Sequence, residues 1–506
     1  EPESAPAPIV IAEELEYHVL AEDLPLDAAA AIEGRPDDFP GVRIVAGTHR
    51  DYPLGPVAAH VLGYLGPAES APPVGAGKAA AALVGKQGVE AAYESSLRGV
   101  PGLEIQLSNR AGEVVERRVA AGPLSGRDIV LTLDIQLQQT ADQLLESAVA
   151  RSRVPAADPR LKSAGGAVVA IDVRGGALLA AASAPSFDPG VFLRGDLADV
   201  EPLLTAIDHP LFNRCSQMAL PPGSVFKPVT AAAALERGVL EPEEHFYCQG
   251  FLNHAGSHRC AIFIDRGVGH GDLALDGALA ESCNVYFFRV AQRVGADALS
   301  RWGTEFGYGR ATGIDLPGEV RGNLPDIRAA LAEGTWRDGD TLGLAIGQGY
   351  LTATPLQVAV MTAAVANGGY RVTPHVVERV GLANRLADDA ADAPAGAHPA
   401  AALAGISPAT LAALRQGMEA AVSHTRGPAH AALAQLPFSV AGKTGTAEPG
   451  GDLPSHAWFA GYAPADEPKV AVVTVVEHGG SGGTVAALLA ARVLSRMDQL
   501  EYFSNR

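Results

Sequence analysis

Hydrophobic and polar positions change their spacing several times along this chain, and each change predicts a structural element. Apolar residues recur at helical spacing over residues 135–150, which predicts a helix. The apolar runs 166–172 and 177–183 flank the turn residues Arg174-Gly-Gly176 and predict a β-hairpin. Three further strands are predicted over residues 438–446, 456–462 and 469–476.

A long, mostly helical insertion is predicted between the hairpin and the last three strands. Before residue 127 the pattern differs, because short strands alternate with Pro- and Gly-rich turns. Residues 41–45 are predicted as a strand, residues 103–115 as a hairpin and residues 66–77 as a loop. The prediction is an α+β fold: a mainly-β region over residues 1–127, then a domain over residues 128–506 with a helix-covered antiparallel sheet and a helical subdomain.

The length and the net charge of the chain limit the possible functions. The chain has 506 residues with 47 % hydrophobic content, enough for more than one domain with a large core. Its formal net charge of −19 argues against binding nucleic acid, since clustered Lys and Arg are absent. The best candidate for a membrane span, residues 470–476, is too short to cross a bilayer and predicts a buried strand.

The first of three candidate chemical motifs contains Ser224 and Lys227. Both lie in Leu220-Pro-Pro-Gly-Ser-Val-Phe-Lys-Pro-Val-Thr230, where Pro and Gly precede an Ala-rich helical run. Their i, i+3 spacing puts the two side chains on one face of a helix, one turn apart. Because a Ser hydroxyl is a weak nucleophile unless a base takes its proton, the pair predicts an activated serine at a helix N-terminus.

Two later segments complete the set. Ser282-Cys-Asn284 is predicted on a loop, and Lys443-Thr-Gly-Thr446 ends a strand-like run in which Gly445 leaves room for a ligand. Each motif alone occurs by chance in many proteins. All three together, on helix, loop and strand, predict an acyl-transfer site.

These motifs resemble those of the penicillin-binding proteins. Further segments resemble the transpeptidase domain of the class B members: Asn213-Arg214, Gly347-Gln-Gly349, Thr354-Pro-Leu-Gln357 and His456-Ala-Trp-Phe-Ala-Gly-Tyr-Ala-Pro464. Upstream segments resemble that class's non-catalytic pedestal: Arg50-Asp-Tyr-Pro53, His60-Val-Leu-Gly-Tyr64 and Gly88-Val-Glu-Ala-Ala-Tyr93. The resemblance covers most of the chain and implies a pedestal (a dimerisation-like domain) over residues 1–127 and a transpeptidase domain over residues 128–506.

The family's activity is serine-type D-Ala-D-Ala transpeptidation. The resemblance implies that peptidoglycan stem peptides acylate Ser224, lose their last D-Ala and pass to the amine of a neighbouring stem peptide. β-Lactam antibiotics mimic this substrate, and no cofactor takes part. A carboxypeptidase or β-lactamase would keep the motifs but let water reach the acyl-enzyme. A non-enzymatic β-lactam sensor or wall-machinery scaffold would leave Ser224 unacylated.

Chemistry assigns an expected role to each motif residue. Lys227 is the expected base, Ser282 relays a proton to the leaving amine, and Asn284 orients Lys227 and grips the substrate amide. Lys443 supplies positive charge, while Thr444 and Thr446 offer hydroxyls to the terminal carboxylate. The backbone N–H groups of Ser224 and Thr446 are expected to form the oxyanion hole.

The cysteines give a second signal. Cys248, Cys260 and Cys283 fall in one short region with His270, and three thiolates and an imidazole make a tetrahedral structural Zn²⁺ set. The elongation-type members (penicillin-binding protein 2-like) resemble this chain in a Gly-His-Gly segment and metal ligands near the second motif. Rival ligands are His254 and His258. The alternatives are a Cys248–Cys260 disulfide, because the implied compartment is oxidising, and unpaired buried thiols. Cys215 is expected to be a core residue.

Location and partners follow only from the resemblance. Class B members carry one N-terminal membrane anchor, and the chain starts without Met, so we expect the anchor to be missing from this sequence. The implied location is the periplasmic face of the bacterial inner membrane. The implied partner is a membrane glycan polymerase of the side-wall elongation machinery.

Overall fold

A computed structural model describes residues 20–21, 24–45, 50–68, 83–110, 114–152, 164–381, 393–394 and 400–504. It contains two compact units. The first consists of Glu1–Pro53 and Gly66–Val84, and the second consists of Leu54–Leu65 and Gly85–Arg506. The second unit holds all three motifs, and the site is built within it. No helix among the described residues is long and apolar enough to cross a membrane.

The structure has eighteen α-helices in the described residues. In chain order they are α1 (Leu26–Glu33), α2 (Ala59–Leu62), α3 (Gly88–Ala92), α4 (Glu94–Leu97), α5 (Ile135–Ser152), α6 (Gly190–Arg194), α7 (Leu197–Thr205), α8 (Lys227–Glu236), α9 (Ala261–Arg266), α10 (Leu275–Ala280), α11 (Asn284–Val294), α12 (Ala296–Glu305), α13 (Ile327–Ala332), α14 (Asp338–Ala345), α15 (Pro355–Ala366), α16 (Pro408–Ser423), α17 (His430–Leu433) and α18 (Ala487–Gln499). A 3₁₀ turn (Gly223–Phe226) precedes α8, and a π-helical turn (Gly482–Ala486) precedes α18.

The described strands form one five-stranded sheet and several sheets of two or three strands. They are β1 (Leu65–Pro67), β2 (Leu83–Gly85), β3 (Leu103–Ser108), β4 (Val114–Ala121), β5 (Ile129–Leu131), β6 (Gly166–Asp172), β7 (Leu178–Ala184), β8 (Phe246–Cys248), β9 (Gly271–Leu273), β10 (Tyr370–Arg371), β11 (Val377–Val380), β12 (Ala393–Pro394), β13 (Ala401–Ala402), β14 (Ala441–Ala447), β15 (His456–Ala463) and β16 (Val470–Val476).

The large sheet has five antiparallel strands in the order β14-β15-β16-β6-β7. The hairpin β6–β7 and the three late strands are therefore confirmed, although β14 begins at Ala441 rather than at residue 438, and the two halves join where β16 pairs with β6. That pairing brings Val473 opposite Val169, although about three hundred residues separate them along the chain. The order leaves β14, which carries the third motif, at an edge of the sheet.

Both faces of this sheet are buried. Alternate residues of β6, such as Val169 and Ile171, face a core that includes the wholly buried helix α15. Their neighbours Val168 and Ala170 face a second core shared with α5 and α18. Covering on both sides explains why β16 is apolar at every position except the buried Thr474, rather than alternating.

The helical insertion between β7 and β14 contains α6 to α17 and carries the first two motifs. The predicted α+β architecture with a helical subdomain is confirmed. Before residue 127, the described chain contains short helices as well as strands. The strand predicted over residues 41–45 is wrong: residues 42–45 take no regular secondary structure, and Val45 is 69 % exposed, so no buried face selects an extended strand.

The hairpin predicted over residues 103–115 is confirmed as β3 and β4, which pair from Leu103 with Ala121 to Ser108 with Val114. Its turn at residues 111–113 lies outside the described part of the chain. For the loop predicted over residues 66–77, residues 66 and 67 end β1, and residues 69–77 also lie outside the described part.

Candidate active site

Ser224 sits in a tight turn that runs directly into a buried helix. The 3₁₀ turn Gly223–Phe226 leads into α8, which starts at Lys227. Gly223 has φ +57°, and a β-carbon there would lie 3.0 Å from the carbonyl oxygen of Thr446. This position therefore suits glycine, and the turn packs directly against the strand that carries the third motif.

A second glycine holds the turn from the other side. The carbonyl oxygen of Gly347 accepts a hydrogen bond from the Gly223 N–H at 2.8 Å. Gly347 has φ +73°, and a β-carbon there would come within 2.1 Å of the Gly223 oxygen. The backbone carrying the half-buried Ser224 is thus fixed between the Gly347 loop and Thr446.

Lys227 is fully buried and makes its hydrogen bonds to the second motif. Its Nζ donates to the Ser282 carbonyl oxygen at 2.7 Å, to Ser282 Oγ at 3.2 Å and to Asn284 Oδ1 at 2.7 Å. Ser282 itself takes φ +58°, an uncommon conformation for a residue with a β-carbon. That conformation turns the Ser282 carbonyl and side chain toward one ammonium group.

Burial lowers the pKa of two lysines in this site. It lowers the pKa of Lys227 to about 8, while negative charge on the Cys260 and Cys283 thiols acts in the opposite direction. It also holds the pKa of Lys443 well below its usual value, and the charge of Lys227 adds to that effect. The Lys443 Nζ donates to the Thr444 carbonyl oxygen at 3.1 Å. Both shifts increase the fraction of neutral amine near physiological pH, although Lys227, with a pKa of about 8, is still mostly protonated at pH 7.

The third motif lies on the edge strand β14, which pairs with β15 on one side only. Lys443 and Thr444 are buried, whereas Thr446 is exposed. The Thr446 carbonyl oxygen accepts from Gln348 Nε2 at 3.4 Å, so it points away from β15. In an antiparallel ladder the N–H and C=O of a residue face the same side, so the Thr446 N–H also faces the open edge.

Gly445 is crowded on this strand. A β-carbon there would meet the Pro222 carbonyl oxygen at 2.8 Å and the Trp458 side chain at 3.0 Å. The position therefore suits glycine. The reason is close packing against the Ser224 turn and the neighbouring strand, whereas the sequence predicted room for a ligand. The structure brings all three motifs together: the Lys227 amine binds Ser282 and Asn284, and the Ser224 turn packs against the strand that carries Gly445 and Thr446.

The four predicted metal ligands also converge. The ligand atoms of Cys248, Cys260, His270 and Cys283 all lie within 4.8 Å of one another. The Cys260 sulfur lies 3.6 Å from that of Cys248 and 3.7 Å from that of Cys283, and His270 Nδ1 lies 3.4 Å from the Cys248 sulfur. Tetrahedral zinc with bonds of about 2.3 Å would hold its sulfurs about 3.8 Å apart, so the donor set fits such an ion.

A disulfide and the two rival histidines do not match the contacts in the structure, whereas unpaired buried thiols do. All four cysteines are free thiols, and 3.6 Å between Cys248 and Cys260 is far beyond the roughly 2.05 Å of a disulfide. His254 and His258, the rival ligands, contact the Ser257 hydroxyl instead. Cys215 is buried as expected, with its sulfur 3.2 Å from the Ala182 carbonyl oxygen.

The cysteine cluster is part of the second motif. Cys283 caps the start of α11, where its sulfur accepts from the Tyr286 N–H, and the Cys260 sulfur accepts from the Val285 N–H. Asn284 Nδ2 in turn donates to the Arg259 carbonyl oxygen. Anything that holds these sulfurs therefore also holds the loop that binds Lys227.

Two contacts of the site were not predicted from the sequence. Gln348 reaches Thr446, as described, and Arg426 forms an ion pair with Glu281 at 2.6 Å, directly before Ser282. The Glu281 side chain is only 5 % exposed. Neither contact has a local sequence signal, because the partners lie far apart along the chain.

Comparison with known protein families covers both halves of the chain. The model of the penicillin binding protein transpeptidase domain matches residues 166–495. The model of the penicillin-binding protein dimerisation domain matches residues 12–131. The first match contains all three motifs and the cysteine cluster.

Curated relatives agree with these matches. Peptidoglycan D,D-transpeptidase MrdA of Haemophilus influenzae is 33 % identical over 498 residues, which are 92 % of this chain and 72 % of the relative. MrdA of Escherichia coli K12 is 34 % identical over 89 % of this chain and 71 % of the relative. MrdA of Acinetobacter baumannii is 34 % identical over 89 % of this chain and 66 % of the relative.

Solved structures show the same fold. Penicillin-binding protein 2 of Helicobacter pylori in complex with MreC superposes with a TM-score of 0.78 at 29 % identity, over 95 % of this chain and 84 % of that one. Penicillin-binding protein 2 of Pseudomonas aeruginosa in complex with WCK 5153 superposes with a TM-score of 0.69 at 32 % identity. The match covers 88 % of this chain and 90 % of that one. The chain therefore belongs to the penicillin-binding proteins, as a D,D-transpeptidase of the penicillin-binding protein 2 type.

Proposed function

We propose that this chain cross-links peptidoglycan stem peptides through an acyl-enzyme on Ser224. The observation that carries the proposal is the position of Lys227, a fully buried amine with a lowered pKa, one helical turn from Ser224 and hydrogen-bonded to Ser282 and Asn284. A buried amine of this kind can accept a proton near neutral pH, which an ordinary lysine cannot.

In the acylation step, Ser224 Oγ attacks the carbonyl carbon of the penultimate D-Ala while Lys227 takes the hydroxyl proton. The N–H groups of Ser224 and Thr446 stabilise the oxyanion, and one such donor contributes about 3 kcal/mol. As the C–N bond breaks, Ser282 passes a proton from Lys227 to the leaving amine of D-Ala. Asn284 holds Lys227 in place and binds the substrate amide.

The substrate's terminal carboxylate would bind at Lys443, Thr444 and Thr446. Lys443 loses its charge readily in the free site, because burial and Lys227 both lower its pKa. A carboxylate next to it would raise that pKa again, so substrate binding itself would restore the positive charge. Gly445 keeps the strand close to the Ser224 turn.

The second half-reaction transfers the acyl group to an amine. The amine of a neighbouring stem peptide attacks the Ser224 ester, an amide bond forms, and the proton returns to the serine oxygen through Lys227. Incubating the protein with a stem pentapeptide and an acceptor stem peptide should give free D-Ala and a cross-linked dimer. Free D-Ala with hydrolysed tetrapeptide alone would indicate a carboxypeptidase, and fast turnover of penicillin would indicate a β-lactamase.

We propose the domain organisation 1–127 for the pedestal and 128–506 for the transpeptidase domain. The family matches over residues 12–131 and 166–495 support this division. In the structure, residues 85–127 belong to the same compact unit as the transpeptidase elements. Limited proteolysis that releases a stable fragment starting near residue 128 would support the boundary.

We further propose that Cys248, Cys260, His270 and Cys283 hold a structural zinc ion. Their sulfur spacing and chemistry fit four-coordinate zinc, which would supply stability and leave the acyl-transfer chemistry to the protein side chains. Because Cys283 lies between Ser282 and Asn284, a ligated sulfur would hold both beside Lys227. Metal analysis of protein purified without chelator tests the proposal.

For partners and location, we propose a role in side-wall elongation at the periplasmic face of the inner membrane, with a membrane-anchoring segment and a glycan polymerase partner. The MrdA relatives support the elongation role. A solved complex of penicillin-binding protein 2 with MreC, and a peptidoglycan synthase complex that coordinates polymerization and crosslinking, support wall-machinery partners. Depletion of the full-length protein should turn rod-shaped cells round; an unchanged shape with blocked division would contradict this.

A further inference from the structure

Two aromatic side chains, Trp336 and Tyr350, lie together at the surface beside the active-site loops. Their ring centroids are 6.1 Å apart and the ring planes are tilted by 40°. Tyr350 is 59 % exposed, whereas Trp336 is half-buried and donates its indole N–H to Thr341 Oγ1 at 2.8 Å. One ring is thus anchored by a hydrogen bond and the other is presented to solvent, so the pair offers an aromatic face to a ligand.

The backbone that carries Tyr350 is tied to the Ser224 turn. Leu220 and Ala353 exchange two backbone hydrogen bonds, and Asn323 Nδ2 donates to the Tyr350 carbonyl oxygen at 2.6 Å. Two residues before Tyr350, Gln348 donates to the Thr446 carbonyl oxygen. The loop that carries Tyr350 therefore contacts the open edge of β14 at Thr446, through Gln348.

The direction of a bound substrate along β14 follows from strand geometry. If a peptide adds to this edge antiparallel, the residue whose carbonyl accepts from the Thr446 N–H also donates its own N–H to the Thr446 carbonyl oxygen. For the proposed reaction that residue is the penultimate D-Ala. The residues that precede it in the stem peptide then continue past Thr446, toward the end of β14 and the Gln348 loop.

We propose that Trp336 and Tyr350 form a subsite for the part of the donor stem peptide that precedes D-Ala-D-Ala. This inference rests on the proposed transpeptidase function. The proposed cross-linking reaction uses an amine of one stem peptide as the acceptor, so a donor stem peptide of the same kind carries such an amine as well. Aromatic faces bind an amine-bearing side chain through apolar contact with its carbon atoms and attraction between the cation and the ring.

The test measures how well two peptides protect Ser224 from labelling by a fluorescent penicillin. One is a stem pentapeptide ending in D-Ala-D-Ala, and the other is N-acetyl-D-Ala-D-Ala, which lacks the upstream residues. We expect the ratio of their half-protecting concentrations to favour the pentapeptide in the wild type. Tyr350→Ala should reduce that preference about tenfold, and Tyr350→Phe, which keeps the ring, should retain it within about twofold.

Other outcomes separate this inference from the proposed function. A Tyr350→Ala variant with the wild-type preference would overturn the subsite, as would a Phe variant as impaired as the Ala variant. Trp336→Ala, checked for an unchanged melting profile, should give the same loss of preference as Tyr350→Ala. A wild-type protein that penicillin does not label would overturn the transpeptidase proposal itself, and the subsite with it.

Discussion

The pH dependence of acylation tests the proposed role of Lys227 in a quantitative way. An ordinary lysine with a pKa of 10.5 would be neutral in about 0.03 % of molecules at pH 7, whereas a pKa of about 8 makes that fraction about 9 %. Burial thus increases the amount of the neutral base about 300-fold at pH 7. Because the base is the unprotonated form, the acylation rate must rise with pH and level off above the pKa.

The expected size of the effect is large. About 1 % of Lys227 side chains would be neutral at pH 6 and about 90 % at pH 9, so the second-order rate constant for acylation by penicillin should rise about 90-fold across this range. Quenched reactions read by intact mass give the rate at each pH. The melting temperature should be recorded at each pH, so that unfolding is not mistaken for titration.

A flat or falling profile between pH 6 and pH 9, in protein that stays folded, would refute the assignment of Lys227 as the base. Lys227→Arg is the matched variant, because it keeps a positive charge at the same place. Guanidinium does not lose its proton in proteins, so the variant should show no measurable labelling at any pH in this range. Labelling of the Arg variant at the wild-type rate would point to another base.

Two further predictions concern the loop that binds Lys227. Protein purified without chelator should contain about one zinc per chain. Chelation, Cys283→Ser or His270→Ala should lower both the melting temperature and the acylation rate. The control His254→Ala, which replaces an exposed histidine nearby, should retain the metal. Metal-free protein with full activity would contradict the zinc proposal. Arg426→Gln should lower stability by about 1–2 kcal/mol and slow acylation severalfold, because it leaves the buried Glu281 carboxylate without its partner beside Ser282. The control Arg328→Gln breaks an ion pair with Asp297 whose side chains are both exposed and should change neither property.

Much of the sheet could be predicted from the sequence because its strands carry strong local patterns. The runs that became β6, β7, β15 and β16 are apolar, short and bounded by turn residues, so their ends were predicted to within one residue. Residues 41–45 show the limit of this reasoning. Their strand-like composition has no partner strand and no buried face in the described structure, and composition alone does not supply either.

The residues of the candidate site could be identified from the sequence, but the contacts that hold them in place could not. The motif residues around Ser224 carry recognisable spacings, and Cys248 to Cys283 form a dense group of ligand types. Gln348 reaching Thr446, and Arg426 pairing with Glu281, depend on how distant segments fold onto each other. The aromatic pair Trp336 and Tyr350 likewise has no periodicity, because one residue lies before α14 and the other after it.

The central claim is that Ser224 becomes covalently acylated. Intact-mass analysis of the protein after incubation with benzylpenicillin, in parallel with a Ser224→Ala variant that melts at the wild-type temperature, tests it most directly. The wild-type mass should increase by one penicillin per chain, the peptide containing Ser224 should carry the adduct, and the variant should stay unmodified. An adduct on the Ser224→Ala variant, or none on the folded wild type, would contradict the account.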